Sequence, residues 1–266
     1  MRNQQFQQQF KTVIALFFLA ITIPSCQSQV EEKAIVKESK PVDNRIEVFM
    51  NQNPDDGKTS VSKGLVSGGS LENGKLLPFA GDNFHYFDTT SYLYGRAFVH
   101  SKVKAILLDS YKALNLTVPN HEFVVMETSN KCGGKLDPHR THQNGLSVDF
   151  MVPLIKNGVE YTELDNLGGS HYLMEFDDSG RYKEDTTVHI NFEIIAQHIL
   201  EVNKQAKNNG FKIEKVILKL DLKDELFSCK YGEELKKSGI YFAQNLTPIV
   251  NSVHDDHYHI DFGYVK

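Results

Sequence analysis

Two clusters in this 266-residue chain have the residue types and spacing of a metal site. His142 and Asp149 lie seven residues apart, and His257-Tyr258-His259 follows near the C-terminal end. Two histidines and a carboxylate suit zinc and leave one coordination position open, as catalytic rather than structural zinc requires. Zinc lowers the pKa of a water it binds toward ~7, so an imidazole beside it is matched to accept that proton. In this reading His142, Asp149 and His259 hold zinc and His257 is the base. His139 and His254, each close in sequence to one cluster, are expected to orient the water or bind a developing oxyanion. Asp255, Asp256 and Asp261 can hold the ligand tautomers from behind. The plainer alternative is two groups of ordinary surface histidines. A lone His-x-His is weak, but an upstream His-x6-Asp makes the metal reading the stronger one. The chemistry expected is metal-dependent hydrolysis.

Such a site needs strands to present it. In Leu146-Ser147-Val148-Asp149-Phe150-Met151-Val152 the apolar residues alternate, so Asp149 shares the opposite face with Ser147 and Met151. The same period of two in His257–Phe262 groups His257, His259 and Asp261, with Tyr258, Ile260 and Phe262 turned inward. If the two strands are neighbours, Asp149 and His259 converge, and His142 reaches in from a loop that reverses at Gly145. Around them, His100–Leu116 has helical spacing through Val103, Ile106, Leu107, Tyr111 and Leu114, and Phe123–Met126 reads as a buried strand. Cys132–His142 reads as loop. Asn191 is placed to cap a second helix that Asn208-Asn209-Gly210 ends. Val216–Leu222 is expected as a strand, Asp224–Lys237 as one or two short helices, and Ser67–Gly74 as loop. This pattern predicts a single α+β domain around a central, mainly antiparallel sheet.

The N-terminus carries a different message. Met1–Lys11 has only the positive charges of Arg2 and Lys11, and Val13–Ile23 is an almost unbroken apolar run. As a helix that run rises roughly 16 Å, about half a hydrocarbon core, so it reads as an export signal rather than a span. It ends in Ile23-Pro24-Ser25-Cys26, which resembles a bacterial lipobox and makes Cys26 the expected lipid attachment point on a membrane; the alternative is a plain cleaved signal. Residues 27–60 are polar and read as a tether, with a possible short strand at Ile46–Met50, and 61–266 as the domain. The net charge of −5, without a basic cluster, argues against nucleic acid. Cys132 and Cys229 are a possible disulfide in an exported protein, against the alternative of two free thiols. His189 and His198 are expected to pack or cap, His171 lies in a possible substrate loop, and the aromatic run Phe84–Phe87 is expected to be buried. No Ser or Cys nucleophile motif is visible.

His142-Gln-Asn-Gly-Leu-Ser-Val-Asp149, with His139 three residues before it and His254-x2-His257-x-His259 near the end, resembles the penicillin-insensitive murein endopeptidases. That family sits within the wider group of lysostaphin-type and D-Ala-D-Ala-cleaving zinc peptidases. Gly69–Pro78, Tyr94-Gly95 and Gly133-Gly134 fall in a similar order, so the resemblance runs from about Ser67 to Phe262. It implies zinc on His142, Asp149 and His259, His257 as catalytic histidine, and His139 and His254 as further active-site residues. The implied activity is cleavage of the D-alanyl cross-link between peptidoglycan stem peptides, in the periplasm or cell envelope. Two departures stand out: Ser147 replaces a usual acidic residue, and most of the family's cysteines are missing. Within the same group the rival is a D-Ala-D-Ala carboxypeptidase or dipeptidase. Outside it the rivals are a non-catalytic zinc-containing peptidoglycan-binding protein and, more weakly, a metal carrier.

Overall fold

The computed structural model describes residues 44–265, all within the compact unit Pro41–Lys266. The signal segment and Cys26 lie outside the described residues. The chain runs through α1 (Asn44–Gln52), the hairpin β1 (Val61–Leu65) and β2 (Gly68–Glu72), β3 (Lys75–Leu76), β4 (Phe84–Tyr86), α2 (Thr89–Leu93) and β5 (Phe98–Val99). The long helix α3 (Ser101–Thr117) leads to β6 (Phe123–Val125), β7 (Ser147–Met151), β8 (Leu154–Lys156) and β9 (Val159–Glu160). A 3₁₀ turn (Gly168–Leu173) and β10 (Val188–Ile190) precede α4 (Phe192–Asn208), β11 (Phe211–Ile217), α5 (Lys223–Ser228), α6 (Gly232–Lys237), α7 (Pro248–Ser252) and β12 (His257–Tyr264).

The frame of the site is a five-stranded sheet in the order β11-β12-β7-β6-β4, antiparallel except for the β4–β6 pair. This is the expected α+β class. Val148 and Phe150 of β7 and Tyr258, Ile260 and Phe262 of β12 are all buried in the main core. Each such side chain stabilises the fold by about 1.5–3 kcal/mol. The buried stripe of α3 (Val103, Ile106, Leu107, Tyr111, Leu114) is the expected one, and α3 packs against α4. Asn191 caps α4 by accepting from the Ile194 amide at 3.3 Å. On the other face of the sheet the β7–β12 register sets Asp149 opposite His259, Ser147 opposite Asp261, and Met151 opposite His257. The convergence expected from the period of two is present.

Several expectations are corrected. Ile46–Met50 is not a strand but part of α1, which buries Ile46 and sets Phe49 edge-on to Tyr92 at 5.7 Å, so ordered chain begins before residue 61. Ser67–Gly74 is not all loop: β2 pairs with β1, and Leu71 is buried. The strand expected at Val216–Leu222 starts earlier and stops at Ile217. Beyond it the Lys219 amide donates to the His254 carbonyl (2.7 Å) and the Leu220 amide to Asn251 Oδ1 (2.7 Å), so the backbone leaves the ladder. Cys132 and Cys229 are both free thiols; Cys132 is exposed, while Cys229 is half-buried with its thiol toward the Phe192 carbonyl.

Candidate metal centre and its cleft

The centre grows around Asp149, a fully buried carboxylate in the middle of β7. His142 enters from the preceding loop with a backbone φ of +67°, a left-handed conformation that costs a non-glycine residue energy. Its Nδ1–H donates to the Thr128 carbonyl at 2.6 Å, which leaves the lone pair on Nε2. That Nε2 stands 3.2 Å from Asp149 Oδ2, and both atoms are sealed from solvent with no hydrogen-bond partner. Two buried acceptors facing each other are unfavourable unless a cation lies between them. Two ligand atoms each about 2.0–2.1 Å from a tetrahedral metal are themselves about 3.3 Å apart, so the spacing fits.

His139 completes a compact group. Its Nε2–H donates to Glu127 Oε2 at 2.5 Å, leaving Nδ1 as acceptor 3.5 Å from the same Asp149 Oδ2. His139, His142 and Asp149 thus offer ligand atoms within 4.8 Å of one another, and the group can hold a metal ion. His259, expected as a ligand ahead of His139, stands on the other carboxylate oxygen. Its Nδ1 is 2.7 Å from Asp149 Oδ1, its Nε2 2.7 Å from Asp261 Oδ1, and its ring 4.8 Å from that of His142. Asp261 fixes a proton on Nε2, which leaves Nδ1 as the atom available to a metal.

The charges follow from this packing. Burial would raise the Asp149 pKa, but His142 and His259 hold it well below the usual carboxylate range. Burial lowers the pKa of His142. It works against protonation of His259 too, yet Asp261 and Asp149 outweigh it and raise that pKa to about 10. In its protonated form His259 bridges the Asp149 and Asp261 carboxylates.

His257 is the next residue outward on the same face. Its Nδ1–H bonds to the Asp256 carboxylate, which fixes the ring and leaves Nε2 for chemistry. Burial pulls its pKa down, but Asp256 more than offsets that and the net shift is upward. Asp256 is itself tied down: His171 Nε2–H donates to its backbone carbonyl at 2.8 Å. His171 is therefore a buried clamp rather than a substrate-loop residue. Asp255 accepts from the Phe176 amide at 3.1 Å instead of touching a ligand. His254 donates Nδ1–H to the Val250 carbonyl at 2.6 Å, and burial together with His257 holds its pKa at about 3. It therefore presents a neutral Nε2 lone pair. Of the two roles expected of it, orienting water fits this tautomer and donating to an oxyanion does not.

Two participants escaped the sequence reading. Glu127 is a buried carboxylate just past β6 that accepts from His139, from Arg96 Nη2 (2.7 Å) and from Ser91 Oγ (2.8 Å), with Arg96 Nε at 2.6 Å. The signal available was a lone acid closing the apolar run Phe123–Met126. Tyr172, on the 3₁₀ turn, stands between the two histidine clusters, its ring 5.6 Å from His257 and 6.4 Å from His139. No pattern marked it. His189 pairs in β10, and His198 packs in the core, as expected.

These groups line an open cleft of about 740 Å³. His139, His142, Asp149, His257 and His259 form its floor, and exposed Tyr94, Ile249 and Val253 its apolar rim. The chain matches no family model and no curated protein.

Proposed function

We propose that this protein is a zinc-dependent murein endopeptidase that hydrolyses the D-alanyl cross-link between peptidoglycan stem peptides. The observation that carries the reading is the pair of buried, unpartnered acceptors, His142 Nε2 and Asp149 Oδ2, on the floor of an open cleft beside a carboxylate-oriented histidine. His142, Asp149 and His259 would hold the metal through Nε2, a carboxylate oxygen and Nδ1, leaving the fourth position to water, with His139 Nδ1 beside the set to orient it. A nitrogen-rich set with one carboxylate and fixed tautomers suits zinc. When bound, zinc supplies a Lewis acid that polarises the scissile carbonyl and makes water acidic enough to react near neutral pH.

The rest is the work of the chain's own side chains. His257 Nε2 accepts the proton of the attacking water and delivers it to the leaving amine, while Asp256 stabilises the imidazolium formed in between. Thr128, Glu127 and Asp261 hold the rings of His142, His139 and His259 in single tautomers. The open cleft admits an extended peptide, and its apolar rim offers contact to short alkyl side chains. Export and lipid anchoring through Cys26 belong to the same proposal, because the substrate lies outside the cytoplasm.

The test is digestion of cross-linked murein by purified, zinc-loaded protein, with and without chelator, followed by separation and mass analysis of the muropeptides. Chelator-sensitive conversion of D-alanyl cross-linked dimers to monomers is expected. His257→Ala should retain zinc and lose turnover 10²–10⁴-fold, roughly the contribution of a general base. Release of free D-alanine without loss of dimers would instead make the protein a carboxypeptidase. No reaction from zinc-loaded protein would remove the hydrolase reading and leave a binding role.

A further inference from the structure

The hydrolysis proposed above develops negative charge on the former carbonyl oxygen, and a preorganised donor aimed at that charge is worth as much as any other single device. The histidines of the cleft do not supply one: His257 and His259 spend an N–H on Asp256 and Asp261. His139 and His254 spend their N–H groups on Glu127 and the Val250 carbonyl and turn lone pairs to the site. His142 spends its own on the Thr128 carbonyl. The Arg96 guanidinium is engaged by Glu127 and the Asp137 carbonyl, and Ser91 Oγ donates to Glu127.

Tyr172 is different. Its side chain lines the cleft, and its hydroxyl, sealed from bulk solvent, has no hydrogen-bond partner, an arrangement that costs about 1–3 kcal/mol unless something else satisfies it. The ring is fixed edge-on between Phe87 (5.7 Å, 81°) and His257 (5.6 Å, 86°), so the hydroxyl cannot swing away to solvent. The turn that carries it starts at Gly168, where φ is +56° and a Cβ would stand 2.6 Å from Asp88 Oδ2. Burial, reinforced by Asp149 and Glu127, pushes the phenol well above its ordinary pKa, so it stays a donor at neutral pH.

We infer that Tyr172 is a further catalytic residue, whose O–H donates a hydrogen bond to the oxyanion of the tetrahedral intermediate. This rests on the hydrolase reading of the same site. As the water oxygen bonds to the carbonyl carbon, its proton passes to His257 Nε2 and the C=O π pair moves onto oxygen. Tyr172 donates to that oxygen and keeps its proton. The pair returns as the C–N bond breaks, and His257 gives the proton to the departing amine.

The test compares the zinc-loaded full chain with its Tyr172→Phe variant, which keeps the ring packing; equal zinc content and melting temperature establish that both are folded. Two probes are titrated calorimetrically: a D-alanyl phosphinic pseudopeptide carrying a tetrahedral anion in place of the scissile amide, and the matching ketomethylene peptide with a planar carbonyl. The variant should bind the phosphinate roughly 10²–10³-fold more weakly, the ketomethylene peptide equally well, and show a similar fall in kcat on murein with KM little changed. Equal phosphinate affinity in the two proteins, or no phosphinate binding by either, overturns the assignment. Equal murein cleavage by both overturns it while leaving the endopeptidase intact. If the wild type cleaves no murein, the endopeptidase reading falls and the phosphinate comparison alone decides the role of Tyr172.

Discussion

At the scale of single residues, Ser147 departs most informatively from the pattern the sequence resembles. It faces Asp261 across the β7–β12 pair, and its Oγ–H donates to Asp261 Oδ1 at 2.6 Å. The same oxygen accepts from His259 Nε2 at 2.7 Å, and Lys215 Nζ holds Oδ2 at 2.9 Å. Burial works against the Asp261 charge, yet His259 leads a set of partners that keeps it ionised far below the usual range. An acid at position 147 would bring a second carboxylate into hydrogen-bond range of the first, in a place with almost no exposure to water. A hydroxyl donor is thus the side chain that this Asp261 requires. At the proposed zinc site Ser147→Asp should weaken binding about 10–100-fold, the usual cost of disturbing a group that orients a metal ligand, and Ser147→Ala should cost less. Competition against a chelating dye reads both, and wild-type affinity in Ser147→Asp would show that Asp261 does not orient His259.

Among elements, the loop-to-strand junction before β7 decides whether His142 and Asp149 can meet. The chain must turn sharply enough that a ligand in the loop and a ligand mid-strand face each other seven residues later. Gly145 makes that turn at φ +76°, and a Cβ there would stand 2.7 Å from Leu71 Cδ2 and 2.9 Å from the His100 amide nitrogen. Gly145→Ala should therefore lower stability by about 2 kcal/mol, from left-handed strain plus collision with a neighbouring backbone. A urea midpoint equal to wild type would contradict this. The strands β7 and β12 were legible in sequence because their period of two is strict, which sorted their two faces; that they are neighbours, and so bring His259 to Asp149, came only from the structure. Less regular pieces were not legible. The β1–β2 hairpin buries one leucine and leaves Val61 and Leu65 exposed among glycine and polar residues, so nothing in its pattern separates it from a loop. β11 stops at Ile217 because distant groups, the His254 carbonyl and Asn251, capture the next amides, and no local signal carries that. Glu127 and Tyr172 belong to the site only through tertiary contacts, so spacing could not reveal them.

Over the whole molecule, the sheet separates two histidine environments. One face carries the candidate metal centre; the other carries His198 of α4, wholly buried and ringed by aromatic side chains. His198 stacks on Tyr111 (5.7 Å) and Phe123 (5.0 Å), meets Phe150 edge-on (4.6 Å), and shares one hydrogen bond of 2.7 Å between Nδ1 and the Tyr258 hydroxyl. Its Nε2 has no partner, so a proton added to make the imidazolium would have no acceptor there. Burial, with a small push from His121, accordingly holds the pKa down to about 3. The unfolded chain binds that proton near pH 6.5 and the native one does not, so stability is full above pH 6.5 and falls as pH drops toward 3. Between pH 7 and pH 5 the loss from this one ring should be about 2 kcal/mol. Contributions from other groups cancel when wild type is compared with a His198→Gln variant at both pH values. Urea unfolding should therefore show the variant losing about 2 kcal/mol less than wild type over that interval. Equal losses would mean that the ring finds an acceptor for its second proton, and that the core beneath Tyr258 is less closed than its packing implies.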